Sequence, residues 1–193
     1  HQVGLYMIEA YKLKPVGTKD RAGLDNQAFV GRPAAAIEMK YADVVDIVAC
    51  TFKHLASTGI DAKLGVKNLK VKECLLKDIG GNGILAGNYG DEGREIHLPY
   101  NARSEADICE SINIENNLIT DATNEDWGTV GIGLGVVKDC SIKNNEIENI
   151  SYTGISLGWG WNPFATIARN NTIAYNKIHH YGKWNYDCSG IYT

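Results

Sequence analysis

Long apolar runs are missing from this 193-residue chain. No stretch approaches the roughly 18 consecutive apolar residues that a membrane-crossing helix needs, which excludes that class. Basic clusters are missing too: the formal net charge is −4 and no Lys/Arg-rich run occurs, so the electrostatic footprint of a nucleic-acid binder is not there. Paired cysteines are also lacking. The five present (Cys50, Cys74, Cys109, Cys140 and Cys188) are odd in number, and their spacing forms neither a disulfide framework nor a C-x-x-C metal pair. No His/Asp/Glu group has the spacing of a metal motif, so neither a metal nor another cofactor is expected. An apolar content of 44% leaves enough hydrophobic surface to fold, which sets disorder aside. The chain opens at His1 without an initiator Met or an apolar leader. It stops at Gly190-Ile191-Tyr192-Thr193, inside an expected strand, and we therefore expect a piece of a longer protein.

What is present is a repeat. The pattern apolar, two residues, Asn or Cys, one residue, apolar occurs at Ile47–Cys50–Phe52, Val71–Cys74–Leu76, Ile114–Asn117–Ile119, Ile142–Asn145–Ile147 and Ile173–Asn176–Ile178. Each copy is followed by a Gly-Ile pair: Gly59-Ile60, Gly83-Ile84, Gly131-Ile132, Gly154-Ile155 and Gly190-Ile191. From the last apolar residue of the motif to that Ile the steps are 8, 8, 13, 8 and 13. A unit of this length makes short strands and cannot bury its apolar face alone. Stacked at about 4.8 Å, successive units line equivalent side chains into interior ladders. The Asn/Cys position suits a bend, because Asn tolerates left-handed backbone and its amide can bond the neighbouring coil. Parallel strands joined by crossover helices would need longer, amphipathic connections than these Gly- and Asn-rich gaps supply. The spacing therefore predicts an all-β, right-handed parallel β-helix over residues 34–193. Ala36-Ile37-Glu38-Met39 is expected in an earlier coil, 23 residues before Ile60. Residues 1–33 carry no copy of the motif and read as a cap or as the join to further sequence.

Stacked coils accept insertions only at their turns, where function usually resides. Four are expected, at about 88–110, 120–127, 158–166 and 181–187. All four border the sheet built from the Gly-Ile strands. Strand alternation turns Asp61, Leu85, Gly133, Ser156 and Tyr192 outward on that sheet, and two positions on come Lys63, Gly87, Gly135 and Gly158. Three stacked glycines would leave a trough with a bare floor, walled by the inserted loops.

The walls hold every tryptophan of the chain: Trp127, Trp159, Trp161 and Trp184. Such rings stack on the C–H faces of sugars, which makes a carbohydrate groove the natural reading. Glycosidic cleavage requires two carboxyl groups across the scissile bond. Asp187, four residues before Ile191, and Asp126, six before Ile132, occupy corresponding loops two coils apart, so their backbones are expected on the order of 10 Å from each other. Glu125 and Asp61 are the substitutes. His97 and Tyr100 on the longest insertion, His180 after the fifth motif copy, and Tyr192 on the sheet complete the expected substrate-binding set. Glu146 falls at a motif position on another face and is left out.

The run from Asn144 through Tyr152-Thr-Gly-Ile-Ser-Leu-Gly-Trp-Gly-Trp161, with Asn176-Lys-Ile-His-His180 and Tyr186-Asp-Cys-Ser-Gly-Ile-Tyr-Thr193, resembles the bacterial β-helix proteins grouped around glycoside hydrolase family 141. Phe29–Pro33, Ser57–Asp61 and His97–Tyr100 are similar to the same group, so the likeness runs from about residue 29 onward. The resemblance implies a secreted or periplasmic enzyme that acts on complex polysaccharide. It leaves Asp187 and Asp126 resting on spacing. Two other readings stand beside the hydrolase. A polysaccharide lyase would draw a base from Lys183 or Arg94, and a non-catalytic β-helix would only hold glycan. Carbohydrate is the expected partner, with no nucleic acid and no membrane insertion.

Overall fold

The computed structural model describes residues 32–89, 102–159, 163 and 165–193. Its strands follow one another coil by coil. The first coil has β1 (Ala35–Lys40), β2 (Asp43–Val48) and β3 (Thr51–Leu55), and the second β4 (Thr58–Leu64), β5 (Lys67–Lys72) and β6 (Leu75–Ile79). Then come β7 (Ile84–Ala86), β8 (Asn113–Glu115) and β9 (Leu118–Ala122), followed by β10 (Ile132–Leu134), β11 (Ser141–Lys143) and β12 (Glu146–Ile150). The fifth coil has β13 (Ile155–Leu157), β14 (Thr172–Ala174) and β15 (Lys177–His179), and β16 (Ile191–Tyr192) begins the sixth. Every third strand joins the same sheet: β1-β4-β7-β10-β13-β16 in sheet A, β2-β5-β8-β11-β14 in sheet B and β3-β6-β9-β12-β15 in sheet C. All their pairings are parallel, so the chain is a parallel β-helix, as its spacing predicts.

The register is the one the repeat demands. Ile37, Ile60, Ile84, Ile132, Ile155 and Ile191 stack in sheet A. Ile47, Val71, Ile114, Ile142 and Ile173 stack in sheet B. Phe52, Leu76, Ile119, Ile147 and Ile178 stack in sheet C. These ladders make one continuous core, to which Cys74, Cys109 and Cys140 contribute as buried free thiols. Burial pushes the Cys140 thiol up to about 12, which keeps it a neutral, inert group.

Two ladders explain the motif. The Asn amides bond from coil to coil: Asn145 Nδ2 donates to Ile114 O and to Asn176 Oδ1, both at 2.9 Å, while its Oδ1 accepts from Asn117 N and Nδ2. The left-handed backbone sits one residue earlier than expected, at Ala49, Glu73, Asn116, Asn144 and Tyr175. The ladder residue itself is therefore selected for its amide, not for its φ. At Gly59, Gly83, Gly131 and Gly154 the glycine before the sheet A isoleucine is required by close approach to the next coil. A Cβ at Gly83 would come 2.5 Å from Gly131 O, and one at Gly131 would come 2.7 Å from Gly154 O. Among the described residues no helix is long and apolar enough to cross a membrane.

Candidate functional site

The connections between sheets are unequal. Sheet B reaches sheet C through two residues in every coil, whereas residues 87–112 and 158–171 leave sheet A, and 123–131 and 180–190 enter it. The long connections therefore all border sheet A. The outward ladder is also in register, with Asp61, Leu85, Gly133, Ser156 and Tyr192 stacked in turn.

That outward face is not an open trough in its early coils. Asp61 and Leu85 are fully buried, and Ser156 is nearly so. Leu85, Tyr89, Val130 and Tyr152 form a second apolar cluster over the sheet, with Trp159 and Cys188 packed against it. The glycine floor lies beneath this cover. A Cβ at Gly133 would meet Leu85 Cδ2 and Tyr89 Oη, each at 2.7 Å, and one at Gly135 would run into Asn88 O at 2.2 Å. Gly133 and Gly135 thus admit packed neighbours, so this part of the floor expected to be bare is a packing surface.

Asp61 is likewise unavailable as a substitute carboxylate. Arg32 grips it with Nε and Nη2, gives Nη1 to Gly87 O, and sets its guanidinium 5.4 Å from the Tyr89 ring centroid. Burial works against the guanidinium charge, but the Asp61 carboxylate outweighs it and holds Arg32 above its ordinary value. This pair clamps the segment before β1 onto sheet A.

The two loops that enter sheet A meet each other. Trp127 and Trp184 stack with ring centroids 5.9 Å apart and planes 27° from parallel. Both remain more than half exposed, at 54% and 65%, so the pair offers a face to solvent. Asn185 Nδ2 donates to Trp127 O at 2.6 Å, and the backbone N–H groups of Trp184 and Asn185 donate to Ser151 O in the short corner between them. Next to Trp127, Asp126 is half-buried. Its N–H donates to Gly80 O, and its Oδ1 accepts from Gly128 N at 3.4 Å. Asp187 is exposed and left-handed, at φ 53°, one of many such residues in this fold. Burial pushes the neighbouring Tyr152 phenol up to about 12, against a hydrogen bond with Thr153; the Asp187 charge adds to the rise.

The remaining expected residues are dispersed. Trp159 is half-buried, edge-on to Tyr89 at 5.8 Å, so one side of it serves the apolar cover. Tyr192 is half-buried on the outward ladder. The His180 ring turns toward His179, whose strand belongs to sheet C. Trp161, His97 and Tyr100, with Arg94, lie outside the described residues, as does all but the end of the 1–33 segment. Tyr89 and Tyr152 were not singled out in the sequence, because both precede or follow the repeat and carry no periodic signal of their own.

No family model and no curated protein matches the chain. A solved structure titled "Glycoside hydrolase" is similar to it at 43% sequence identity with a TM-score of 0.81, over 83% of this chain and 27% of that one. The chain thus spans about a quarter of the length of the structure it resembles.

Proposed function

We propose that the chain forms part of a glycoside hydrolase that cleaves a polysaccharide or oligosaccharide, with the reaction on the sheet A side of the later coils. The observation that carries this reading is the 43% identity to a solved glycoside hydrolase along 83% of the chain. It agrees with the bias of every long connection toward one sheet and with an exposed aromatic pair beside two acidic residues. In this reading the Trp127–Trp184 face receives sugar rings. One of Asp126 and Asp187 gives its proton to the glycosidic oxygen as the bond to the anomeric carbon breaks. The other takes a proton from the attacking water, or attacks that carbon itself. The strands these loops enter, β10 and β16, lie two coil spacings apart, on the order of 10 Å, while the loops themselves meet at Trp127 and Asn185. A secreted or periplasmic location belongs to the same proposal, as the resemblance to the glycoside hydrolase group implies.

The test is turnover of a plant and microbial polysaccharide panel by the protein and its Asp187→Asn and Asp126→Asn variants. Loss of an acid or base is expected to lower reducing-sugar release by about 100-fold or more. Release unchanged in both variants removes these carboxylates from the mechanism. Products that absorb in the ultraviolet through a new conjugated double bond identify a lyase instead. Glycan binding with no turnover identifies a binding module.

A further inference from the structure

A second cluster of chemistry-bearing side chains lies on the outward face of sheet C, away from the tryptophan loops. Glu148 and His179 are register partners on adjacent strands β12 and β15, as are Glu146 and Lys177. His180 follows directly in the chain, and strand alternation would send its ring to the opposite face. Its φ of 53° prevents this. The same left-handed step occurs in every coil, at His54, Asp78, Asp121, Asn149 and His180. Here it folds the second imidazole back onto the first, with ring centroids 4.9 Å apart and Nδ1 atoms 2.6 Å apart. One ligand atom from each of Glu148, His179 and His180 lies within 4.8 Å of the other two.

The protonation pattern suits a metal ligand. His179 Nε2 sits 3.1 Å from Glu146 Oε1 and 3.7 Å from Glu148 Oε2. A carboxylate only accepts, so the contact selects the tautomer with its proton on Nε2, the one that offers the Nδ1 lone pair to a metal. Glu146 is itself fixed by Lys177 at 2.6 Å, and the Thr120 hydroxyl donates to Glu148 Oε1 at 3.0 Å. A carboxylate that orients a histidine from behind is the usual outer-shell support of a metal-bound imidazole. The charges also fit: two carboxylates, Glu146 and Glu148, stand beside the Lys177 ammonium, which pairs with Glu146.

We infer that Glu148, His179 and His180 form a binding site for a divalent transition-metal ion of the zinc class, oriented by Glu146, which ties the fourth coil to the fifth. Two imidazoles and one carboxylate select zinc, nickel or copper over calcium or magnesium. On binding, His180 passes from its Nδ1–H to its Nε2–H tautomer, so both imidazoles stay neutral, no net proton is released, and both Nδ1 lone pairs turn to the metal. Zinc–nitrogen bonds of about 2.0–2.1 Å in tetrahedral geometry require the two nitrogens to open to roughly 3.3 Å, a small rotation of the half-buried His179 and exposed His180 rings.

The experiment is zinc chloride titration by calorimetry of the chelator-stripped protein in a Cys50→Ser/Cys188→Ser background, which removes the two accessible thiols. One zinc per chain is expected. Binding is expected to be lost in Glu148→Gln and in His180→Asn, and weakened about 10–100-fold in Glu146→Gln. Asn already holds the left-handed position at residue 149, so His180→Asn keeps the fold, which circular dichroism verifies. Absence of stoichiometric binding in the parent, or unchanged binding in both ligand variants, overturns the site. None of these readouts depends on glycosidase activity.

Discussion

The corner between sheets B and C and the corners around sheet A differ within the same coils. The first is two residues long in every coil, with a left-handed residue and then a Cys or Asn, whose side chain from Cys74 onward is bonded to the preceding coil. The others range from two residues to the long connection at 87–112, and carry the tryptophans and the candidate acids. A stacked solenoid can divide its labour this way because each coil contacts only its neighbours. One corner fixes the coil-to-coil register, and the corners it leaves free can accept loops without disturbing the ladders.

Breaking the fixed corner should have the largest effect on stability. Asn145→Leu leaves Asn117 N–H, the Asn117 amide and Ile114 O without their partner in a buried site. At about 1–3 kcal/mol for each stranded group, roughly 5 kcal/mol should be lost in denaturant unfolding. A loss under about 1 kcal/mol would show that the amide ladder does not set the register. Next comes the clamp beneath the sheet A loops. Asp61→Leu strands the Arg32 charge against an apolar cover and should cost about 3–4 kcal/mol, whereas Arg32→Met with Asp61→Leu should recover most of that. Equal losses in single and double variants would mean that packing, not charge pairing, holds this segment.

The fixed corner was legible in the sequence because its constraint repeats. Ile, Asn and Gly recur at set spacings, and each recurrence corresponds to a stacked contact. The sheet A face was only half legible. Alternation placed Asp61, Leu85, Gly133 and Ser156 outward correctly, yet outward here means covered. The covering groups, Arg32, Tyr89 and Tyr152, come from segments without period. The histidine cluster was hidden for a different reason. Glu148 and His179 are a full coil apart in the chain, and the direction of His180 depends on the sign of one φ angle. The Trp127–Trp184 contact likewise arises from two loops separated by a coil, which spacing places on the same edge but not face to face.

A smaller effect separates the covered part of sheet A from its open part by pH. Tyr152 is buried, and its phenol stands at about 12 in the folded chain against an ordinary 10.0. Between these values the unfolded chain has lost the proton while the folded chain retains it. Stability from this group is therefore complete below pH 10 and is lost as pH rises toward 12. The slope of unfolding free energy in that window should be steeper in the parent than in Tyr152→Phe by up to about 1.4 kcal/mol per pH unit. Parallel slopes would mean that the phenol is hydrated and the cover over sheet A is open to water.

The smallest effect on stability is expected at the open end, from Trp184→Ala. The ring is 65% exposed and its contact with Trp127 is a stacked pair, worth about 0.5–1.5 kcal/mol at most. Unfolding should shift by no more than about 1 kcal/mol, while under the proposed function affinity for a polysaccharide substrate falls about tenfold, since a sugar ring loses one of its two aromatic supports. If instead stability falls by several kcal/mol and affinity is unchanged, the tryptophan pair is a clasp between the 123–131 and 180–190 loops. The division of labour between the fixed and variable corners would then fail at the place where it predicts binding without a structural role.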